Sequence, residues 1–193
     1  MRRESPDEFA LALTTTVVVV GAGVEPGLLL GMVLSLLRLI QHSYHPHSGV
    51  VIPDVDKTWK VVPPARGAVT VPGFVLYRFR AAPFYANAGR FADEILALAG
   101  STASVVRWVI VDAEAITNID YSASRLIAQL KKHLGEMDVT LGFARLPPYS
   151  RADFDRHHLT EAIGLSMIFD RLHNSLEAFE EFRSSLLAQS STD

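Results

Sequence analysis

Residues 105–134, VVRWVIVDAEAITNIDYSASRLIAQLKKHL, join a continuous apolar run to a helical pattern through a short polar loop. The run Val105–Asp112 is typical of a strand in the middle of a sheet, buried on both faces. Asp120 precedes the helical pattern over Tyr121–Leu134, and we expect it to cap this helix because aspartate is a favoured N-cap residue. The helix would bury three apolar side chains at helical spacing, Leu126, Ile127 and Leu130. This order predicts the centre of an α/β layer.

The flanking sequence continues the alternation of strand and helix patterns. Further strands are predicted over Gly49–Ile52, Phe74–Arg80 and Val139–Ala144. Further helices are predicted over Ala88–Ala99, with Asn87 as its cap, and over Ser150–Leu159 and Asn174–Leu187. We therefore expect an α/β fold, with a sheet of about four to five strands and helices packed on it.

The composition indicates one ordinary domain with an apolar appendage. Of 193 residues, 49% are apolar and 20% are charged, and the mean hydropathy is +0.20. The apolar excess lies in the first forty residues, and the remainder is long enough to bury a core. A net charge of −3 gives no reason to expect nucleic-acid binding, and the absence of cysteine excludes disulfides and cysteine-based sites. No cofactor and no metal are expected.

A long apolar segment at residues 9–37, FALALTTTVVVVGAGVEPGLLLGMVLSLL, has Glu25 as its single charged residue. Its three glycines Gly21, Gly23 and Gly27 could form a dinucleotide-binding turn between a strand and a helix. Their G-x-G-x-x-x-G spacing is one residue longer than usual, and residues 39–47 offer no carboxylate for a ribose. A nucleotide-dependent enzyme built on this turn is therefore the weaker hypothesis.

Membrane association accounts for the same segment better. A helix that crosses the hydrocarbon core needs about 20 apolar residues. The glycines and Pro26 break the segment into two shorter pieces, Phe9–Val20 and Leu28–Ile40, with Glu25 placed to cap the second. Basic residues lie on both flanks, namely Arg2, Arg3, Arg38, Lys57 and Lys60. They favour a shallow hairpin with both ends in the cytoplasm. A buried hairpin in a large soluble core is the remaining alternative.

The histidines do not indicate an active site, and common catalytic motifs are missing from the sequence. Gln41–His47 (QHSYHPH) holds three histidines without a neighbouring carboxylate, which favours an interfacial linker over a metal site. His157 and His158 are adjacent on a predicted helix and cannot share a face. No H-E-x-x-H or G-x-S-x-G motif is present. We therefore expect no enzyme activity.

Three motifs, in this order, resemble one family. GVEPGLLLGMVLSLLRLIQHSYHPH, residues 23–47, resembles the last membrane segment of SulP-family sulfate permeases. FVLYRFRAAPFYANAGRFADEI, residues 74–95, resembles the strand-to-helix stretch of their STAS domain. VIVDAEAITNIDYSASRLIAQL, residues 109–130, resembles the central STAS signature. Together the motifs cover most of the chain, and their order makes the match specific.

The resemblance implies the C-terminal part of a SulP-type sulfate (inorganic anion) permease. It divides the chain into a membrane-associated helical segment and linker, residues 1–47, and a STAS domain, residues 48–193. It implies a location at the cell (inner or plasma) membrane, with a regulatory or assembly domain in the cytoplasm. The implied partners are the membrane and the remaining transporter helices or another transporter chain; a second copy of the chain is a further candidate. Because the transport helices of the family lie upstream, the chain is not expected to carry an anion alone.

Related stand-alone STAS proteins, the anti-sigma-factor antagonists, imply an alternative function as a phospho-switch that a partner kinase regulates. Ser122 is the counterpart of their phosphorylated serine at the helix start, and Ser124 is a weaker candidate. Tyr121 departs from the family, which usually carries a small serine there. The simpler alternative makes Asp120 a helix cap and Ser122 a small residue of the first turn. The resemblance also implies a loop for an anion or for a guanine or adenine nucleotide, formed by Asp112, Thr117 and Asn118.

Overall fold

The computed structural model describes residues 6–44, 47–54, 58–100 and 105–190 and forms two compact units, Met1–His45 and Pro46–Asp193. The first unit contains two helices, α1 (Pro6–Ala22) and α2 (Val24–Tyr44). Both helices are longer than the predicted pieces Phe9–Val20 and Leu28–Ile40. Gly23 is the one residue between the two helices. Gly23 has a φ of +104°, which glycine adopts without the steric cost of a Cβ. Helices on both sides of this break contradict the strand that a dinucleotide-binding turn requires.

Two glycines of α2 allow the helices to pack closely. A Cβ at Gly27 would overlap the Val19 side chain, and a Cβ at Gly31 would lie 2.9 Å from Cγ2 of Thr15. Small residues four positions apart let apolar helices approach each other in this way. A larger side chain at either glycine would push α2 away from α1.

The outer surface of this pair of helices is apolar. The hydroxyls of Thr14, Thr15 and Thr16 donate to carbonyl groups four residues earlier and so need no other acceptor. Large exposed apolar side chains are Phe9, Leu13, Val17, Val20, Val24, Leu28, Leu29, Met32, Val33, Leu36 and Leu37. No helix within the described residues has both the length and the apolar character needed to cross a membrane.

The second unit is built on a mixed sheet of six strands in the order β2-β1-β3-β4-β5-β6. The strands are β1 (Ser48–Pro53), β2 (Trp59–Val62), β3 (Phe74–Phe79), β4 (Trp108–Asp112), β5 (Thr140–Ala144) and β6 (Ile168–Phe169). β1 runs antiparallel to both of its neighbours, and β3 to β6 are parallel. The predicted α/β sheet is confirmed, with short edge strands β2 and β6 added to the expected number.

Helices cover the two faces of this sheet unequally. They are α3 (Ala88–Ala99), α4 (Tyr121–Glu136), α5 (Pro148–Arg156), α6 (Leu159–Ile163) and α7 (Leu172–Ser190). Helices α3 to α6 pack on one face, around Tyr77, Val109 and Val111. Helix α7 packs on the other, where Phe179 contacts the rings of Phe74 and Trp108. We call these the four-helix face and the α7 face.

Three local predictions are wrong. The strand predicted over Val105–Asp112 begins only at Trp108, and Val105 is exposed. Asn87 makes no side-chain hydrogen bond to the start of α3; its Oδ1 instead accepts from Phe84 N and its Nδ2 donates to Ala82 O, which braces the preceding loop. The helix predicted over Ser150–Leu159 ends at Arg156, because His158 has a φ of +58° and starts a separate helix, α6. His157 and His158 therefore lie in a turn.

Candidate functional site

The loop between β4 and α4 lies where the parallel strands β3, β4 and β5 end. Ala113 N donates to Ala144 O at 2.8 Å, which ties the start of the loop to β5. Helix α5 holds the rest: the Ser150 hydroxyl donates to Ile116 O, and Ile119 N donates to Oδ2 of Asp153 at 3.2 Å. Ligands of open α/β sheets bind at this edge, so the loop is the natural place for a site.

Asp112, the last residue of β4, is 1% exposed and bound by two arginines. Its Oδ2 accepts from Arg78 Nε at 2.6 Å and from Arg145 Nη2 at 2.7 Å, and its Oδ1 accepts from Arg145 Nε at 3.0 Å. Side chains alternate along a strand, so Asp112 shares the α7 face with Trp108 and Ile110. Two charge-assisted partners compensate the cost of burying this carboxylate.

An unusual backbone conformation and additional contacts hold Arg145 beside Asp112. Its φ of +58° lies in the left-handed region, an uncommon conformation for a residue with a Cβ, and its backbone N donates to Phe169 O at 2.9 Å. Nη2 also contacts the exposed carboxylate of Glu114 at 2.7 Å. Burial lowers the pKa of Arg145, but the hydrogen bond and charge of Asp112, together with Glu114, outweigh it and raise that pKa above its usual value. The guanidinium is therefore a permanent cation.

The members of the predicted nucleotide or anion loop are not brought together. Thr117 and Asn118 are exposed and contact each other, Oγ1 to Oδ1 at 3.4 Å. Within the described residues, neither is hydrogen-bonded to Asp112, whose carboxylate is already held by Arg78 and Arg145. An incoming anion would meet the exposed pair and not this carboxylate.

Asp120 lies at the start of α4, and its two carboxylate oxygens accept hydrogen bonds from different parts of the chain. Oδ1 accepts from Ala123 N at 2.7 Å, which satisfies one of the free N–H groups of the first turn. Oδ2 accepts from Tyr85 N at 3.0 Å, which ties the loop before α3 to α4. Asp120 therefore fixes both the helix and the loop that faces its N-terminus.

The serines of the first turn differ in their access to solvent. Ser122 is exposed, and its hydroxyl has no hydrogen-bond partner within the described part of the chain. Ser124 is buried and donates to Tyr121 O at 2.8 Å, so it is shielded from an enzyme. Tyr121 is itself exposed, with its ring 6.0 Å from that of His157. Of the two serines, only Ser122 could be reached without local unfolding.

The two arginines that bind Asp112 were not among the site residues predicted from the sequence. A usable signal exists, because Arg78 and Arg145 lie at the carboxyl ends of two predicted strands that flank the strand ending in Asp112. Opposite charges at the same end of neighbouring strands are expected to pair. Among the described residues, no group of three or more histidine, aspartate or glutamate side chains is placed to hold a metal. Most of the histidine-rich linker, residues 41–46, lies outside the described side chains.

Comparisons with known proteins show the family to which this fold belongs. The STAS domain family matches residues 66–178. A probable sulfate transporter of Mycobacterium tuberculosis is 31% identical over 89% of the chain, which spans 31% of that relative. The structure of the murine solute carrier 26 family member A9 anion transporter aligns with a TM-score of 0.73 at 15% identity, over 93% of this chain and 29% of that one.

A crystal structure of a sulfate transporter family protein from Wolinella succinogenes aligns with a TM-score of 0.53 at 17% identity, over 68% of this chain and 97% of that chain. At such identities, the structural matches show the fold alone. The chain belongs to the STAS domain family, and its relatives are SulP-type sulfate transporters, as the three motifs predicted. It spans about a third of the length of the first of these curated relatives. The relatives are transporters and STAS domains rather than enzymes.

Proposed function

We propose that this chain is the STAS-bearing part of a SulP-type anion transporter. Residues 48–193 form a cytoplasmic domain that regulates or assembles the transporter, and residues 1–47 form a membrane-associated segment and linker. The observation that carries this proposal is the pairing of an apolar pair of helices with a STAS fold in one chain. The protein has no catalytic step of its own, and its site acts by binding.

The surface of α1 and α2 supports the membrane role. Burial of apolar area contributes roughly 25 cal/mol per Å², so the row of exposed side chains from Phe9 to Leu37 favours lipid or other apolar helices over water. Threonine hydroxyls bonded inside α1 remove a polar cost that lipid would otherwise impose. We infer a shallow hairpin at the cell membrane that works with the remaining transporter helices, on the same or another chain.

Fractionation tests this proposal. The full chain is produced with the double change Leu29→Lys and Val33→Lys on the exposed surface of α2, and membranes are washed with alkaline carbonate. We expect the native chain to remain in the membrane pellet and the double variant to leave it. The matched control places Leu165→Lys and Leu187→Lys on the second unit and should stay with the membrane. Native protein in the supernatant would contradict the proposal.

A second candidate function is the phospho-switch. Its support is the hydroxyl of Ser122 at the N-terminus of α4, which is exposed and has no hydrogen-bond partner among the described residues. Free N–H groups and the helix dipole favour a phosphate at this position. The tryptic peptide Trp108–Arg125 contains this serine and can be examined by mass spectrometry in protein taken from growing cells. Phosphate at Ser122, lost in Ser122→Ala and absent from Ser124, would favour the switch. An unmodified peptide under all growth conditions would favour the transporter role alone.

Nucleotide binding at this edge remains a narrower proposal. Thr117 and Asn118 are free to contact a ligand, and Asp112 serves as the anchor of the strand beneath them. Titration of the full chain with GTP and ATP, repeated for Thr117→Ala with Asn118→Ala, tests it. Loss of binding in the double variant, with unchanged melting, is the expected result. Equal binding by both proteins would place the nucleotide elsewhere.

A further inference from the structure

A cavity of about 280 Å³ lies on the α7 face of the sheet, away from the start of α4. Its apolar walls come from β2, β3 and the start of α7 and comprise Trp59, Phe74, Leu76, Leu172 and Leu176. A cavity on the order of 150 Å³ accommodates benzene. This one therefore has room for a ligand of about a dozen non-hydrogen atoms.

The polar groups at the cavity are mostly cationic or already paired. Thr70 also lines it, but its hydroxyl donates to Val51 O and accepts from Leu76 N, each at 2.7 Å, so it offers a ligand little. The remaining polar lining is the guanidinium of Arg145 and the exposed imidazole of His173. Among the described residues that line the cavity, none carries a carboxylate.

Arg145 keeps a donor for a ligand. Its Nε and Nη2 are bonded to Asp112 and Glu114, whereas Nη1 has no partner among the described residues. The strained backbone of Arg145 and its two acidic contacts hold the guanidinium in place before any ligand arrives. A fixed cation at the edge of an apolar cavity selects a molecule with one anionic end.

We propose that this cavity binds a small amphiphilic monocarboxylate. The apolar body lies between β3 and α7, against Phe74 and Leu176, and the carboxylate accepts from Arg145 Nη1 beside His173. Trp59, which also lines the cavity, is exposed to solvent. Because Arg145 also binds Asp112, the ligand would contact one of the two arginines that hold the Asp112 carboxylate at the end of β4.

The test uses the full chain in lipid nanodiscs and 4-phenylbutyrate as the probe. Its match is 4-phenylbutan-1-ol, which has the same apolar body and a neutral end. Saturation-transfer NMR measures both, with empty nanodiscs as the reference for partition into lipid. A charge-assisted hydrogen bond predicts that the carboxylate binds about tenfold or more tightly than the alcohol. Equal affinities, or no binding of the carboxylate at millimolar concentration, would overturn the proposal.

A variant locates the binding. Leu176→Trp fills the cavity and should abolish the 4-phenylbutyrate signal, while Leu165→Trp, an exposed position outside the cavity, should keep it. Circular dichroism melting confirms that each variant is folded. Undiminished binding in folded Leu176→Trp overturns the assignment. Should Leu176→Trp fail to fold, the change in the chain's own tryptophan emission on addition of 4-phenylbutyrate decides, because Trp59 lines the cavity and Trp108 does not. A change that is lost in Trp59→Phe supports the site, and a change retained there, or no change in the native chain, opposes it.

Discussion

On the α7 face of the sheet, the buried carboxylate of Asp112 is matched by two guanidinium groups, whereas the four-helix face buries a neutral phenol. There, the Tyr77 hydroxyl donates to Glu94 Oε2 at 2.7 Å, and Arg90 contacts Glu94 Oε1 at the same distance near the surface. Tyr77 and Arg78 are neighbours on β3, so one strand serves both arrangements. On the α7 face, the charged groups therefore lie beneath the β4–α4 loop. On the four-helix face, they lie near the surface.

The difference shows that one part of this region supports the sheet, while another part is open to solvent. The Asp112 cluster is occupied by its own ion pairs and holds the end of β4, while the start of α4 keeps Ser122 open to solvent. A single loop thus connects a fixed anchor to a reachable helix start. If this division holds, a change at Asp112 should cost the domain more stability than a change at the start of α4.

Asp112→Asn should be the most damaging change. It leaves Arg78 and Arg145 facing a neutral group, and breaking a buried ion pair costs about 3 kcal/mol or more. Chemical denaturation of the full chain measures the free energy of unfolding. Glu114→Gln is the control, since Glu114 is exposed and its removal should cost less than about 1 kcal/mol. Similar losses for both variants would show that Asp112 is not the anchor.

The four-helix face should respond to alkaline pH. Burial, and then the hydrogen bond and charge of Glu94, raise the pKa of Tyr77 well above its usual value. Its contribution to stability is therefore complete below pH about 10, the pKa of an unfolded tyrosine, and is lost as pH rises further. Each pH unit above 10 should cost the native chain about 1.4 kcal/mol more than Tyr77→Phe. Parallel curves for the two proteins from pH 9 to 11 would contradict this.

Asp120→Ala should cost about 1 kcal/mol, because it removes an N-cap. Asp120→Asn keeps an acceptor for Ala123 N and should cost less than half as much. Thermal unfolding compares the two. Hydrogen exchange at Tyr85 N should also quicken in Asp120→Ala, since its acceptor is lost. Unchanged exchange there would show that the loop before α3 does not depend on this carboxylate.

Ser122→Ala should change stability by less than about 0.5 kcal/mol, as expected for an exposed residue outside any bonded network. Ser122→Asp should be neutral or slightly stabilising, because a negative charge interacts favourably with a helix N-terminus. Melting temperatures of the three proteins provide the measurement. A loss above about 1 kcal/mol in Ser122→Ala would reveal an intramolecular role that competes with modification.

Most of the central fold was predictable because it follows hydrophobic periodicity. The helix predicted over Ala88–Ala99 has those bounds in the structure, and the strand predicted over Val139–Ala144 differs by one residue. The edge strands were not predictable in this way. β6 has two residues, and its ladder depends on Gly142, where a Cβ would lie 2.8 Å from Met167 O. Whether such a short strand pairs with its neighbour depends on tertiary contacts, which the local sequence pattern does not show.

The site was only partly predictable for a related reason. Residue type and position placed Asp120 before a helix, since capping is a local interaction. The partners of Asp112 lie 34 and 33 residues away in the chain, and Arg145, which follows β5, reaches it through a left-handed backbone conformation that no local pattern predicts. Asn87 is the opposite case. Its residue type favours a helix cap, but its side chain forms hydrogen bonds with the loop before the helix.

The antiparallel β1 also has a mechanical consequence. Ser48 pairs with Phe79, and Arg80 N donates to His47 O, so the polypeptide enters the sheet at the edge where β3 and β4 end. Because β1 lies between β2 and β3, a pull directed along β1 from residue 48 would load the hydrogen bonds of both ladders. Many hydrogen bonds would share that load, and the loaded edge is the one next to the β4–α4 loop. Force transmitted along the chain would therefore reach this edge before the rest of the domain.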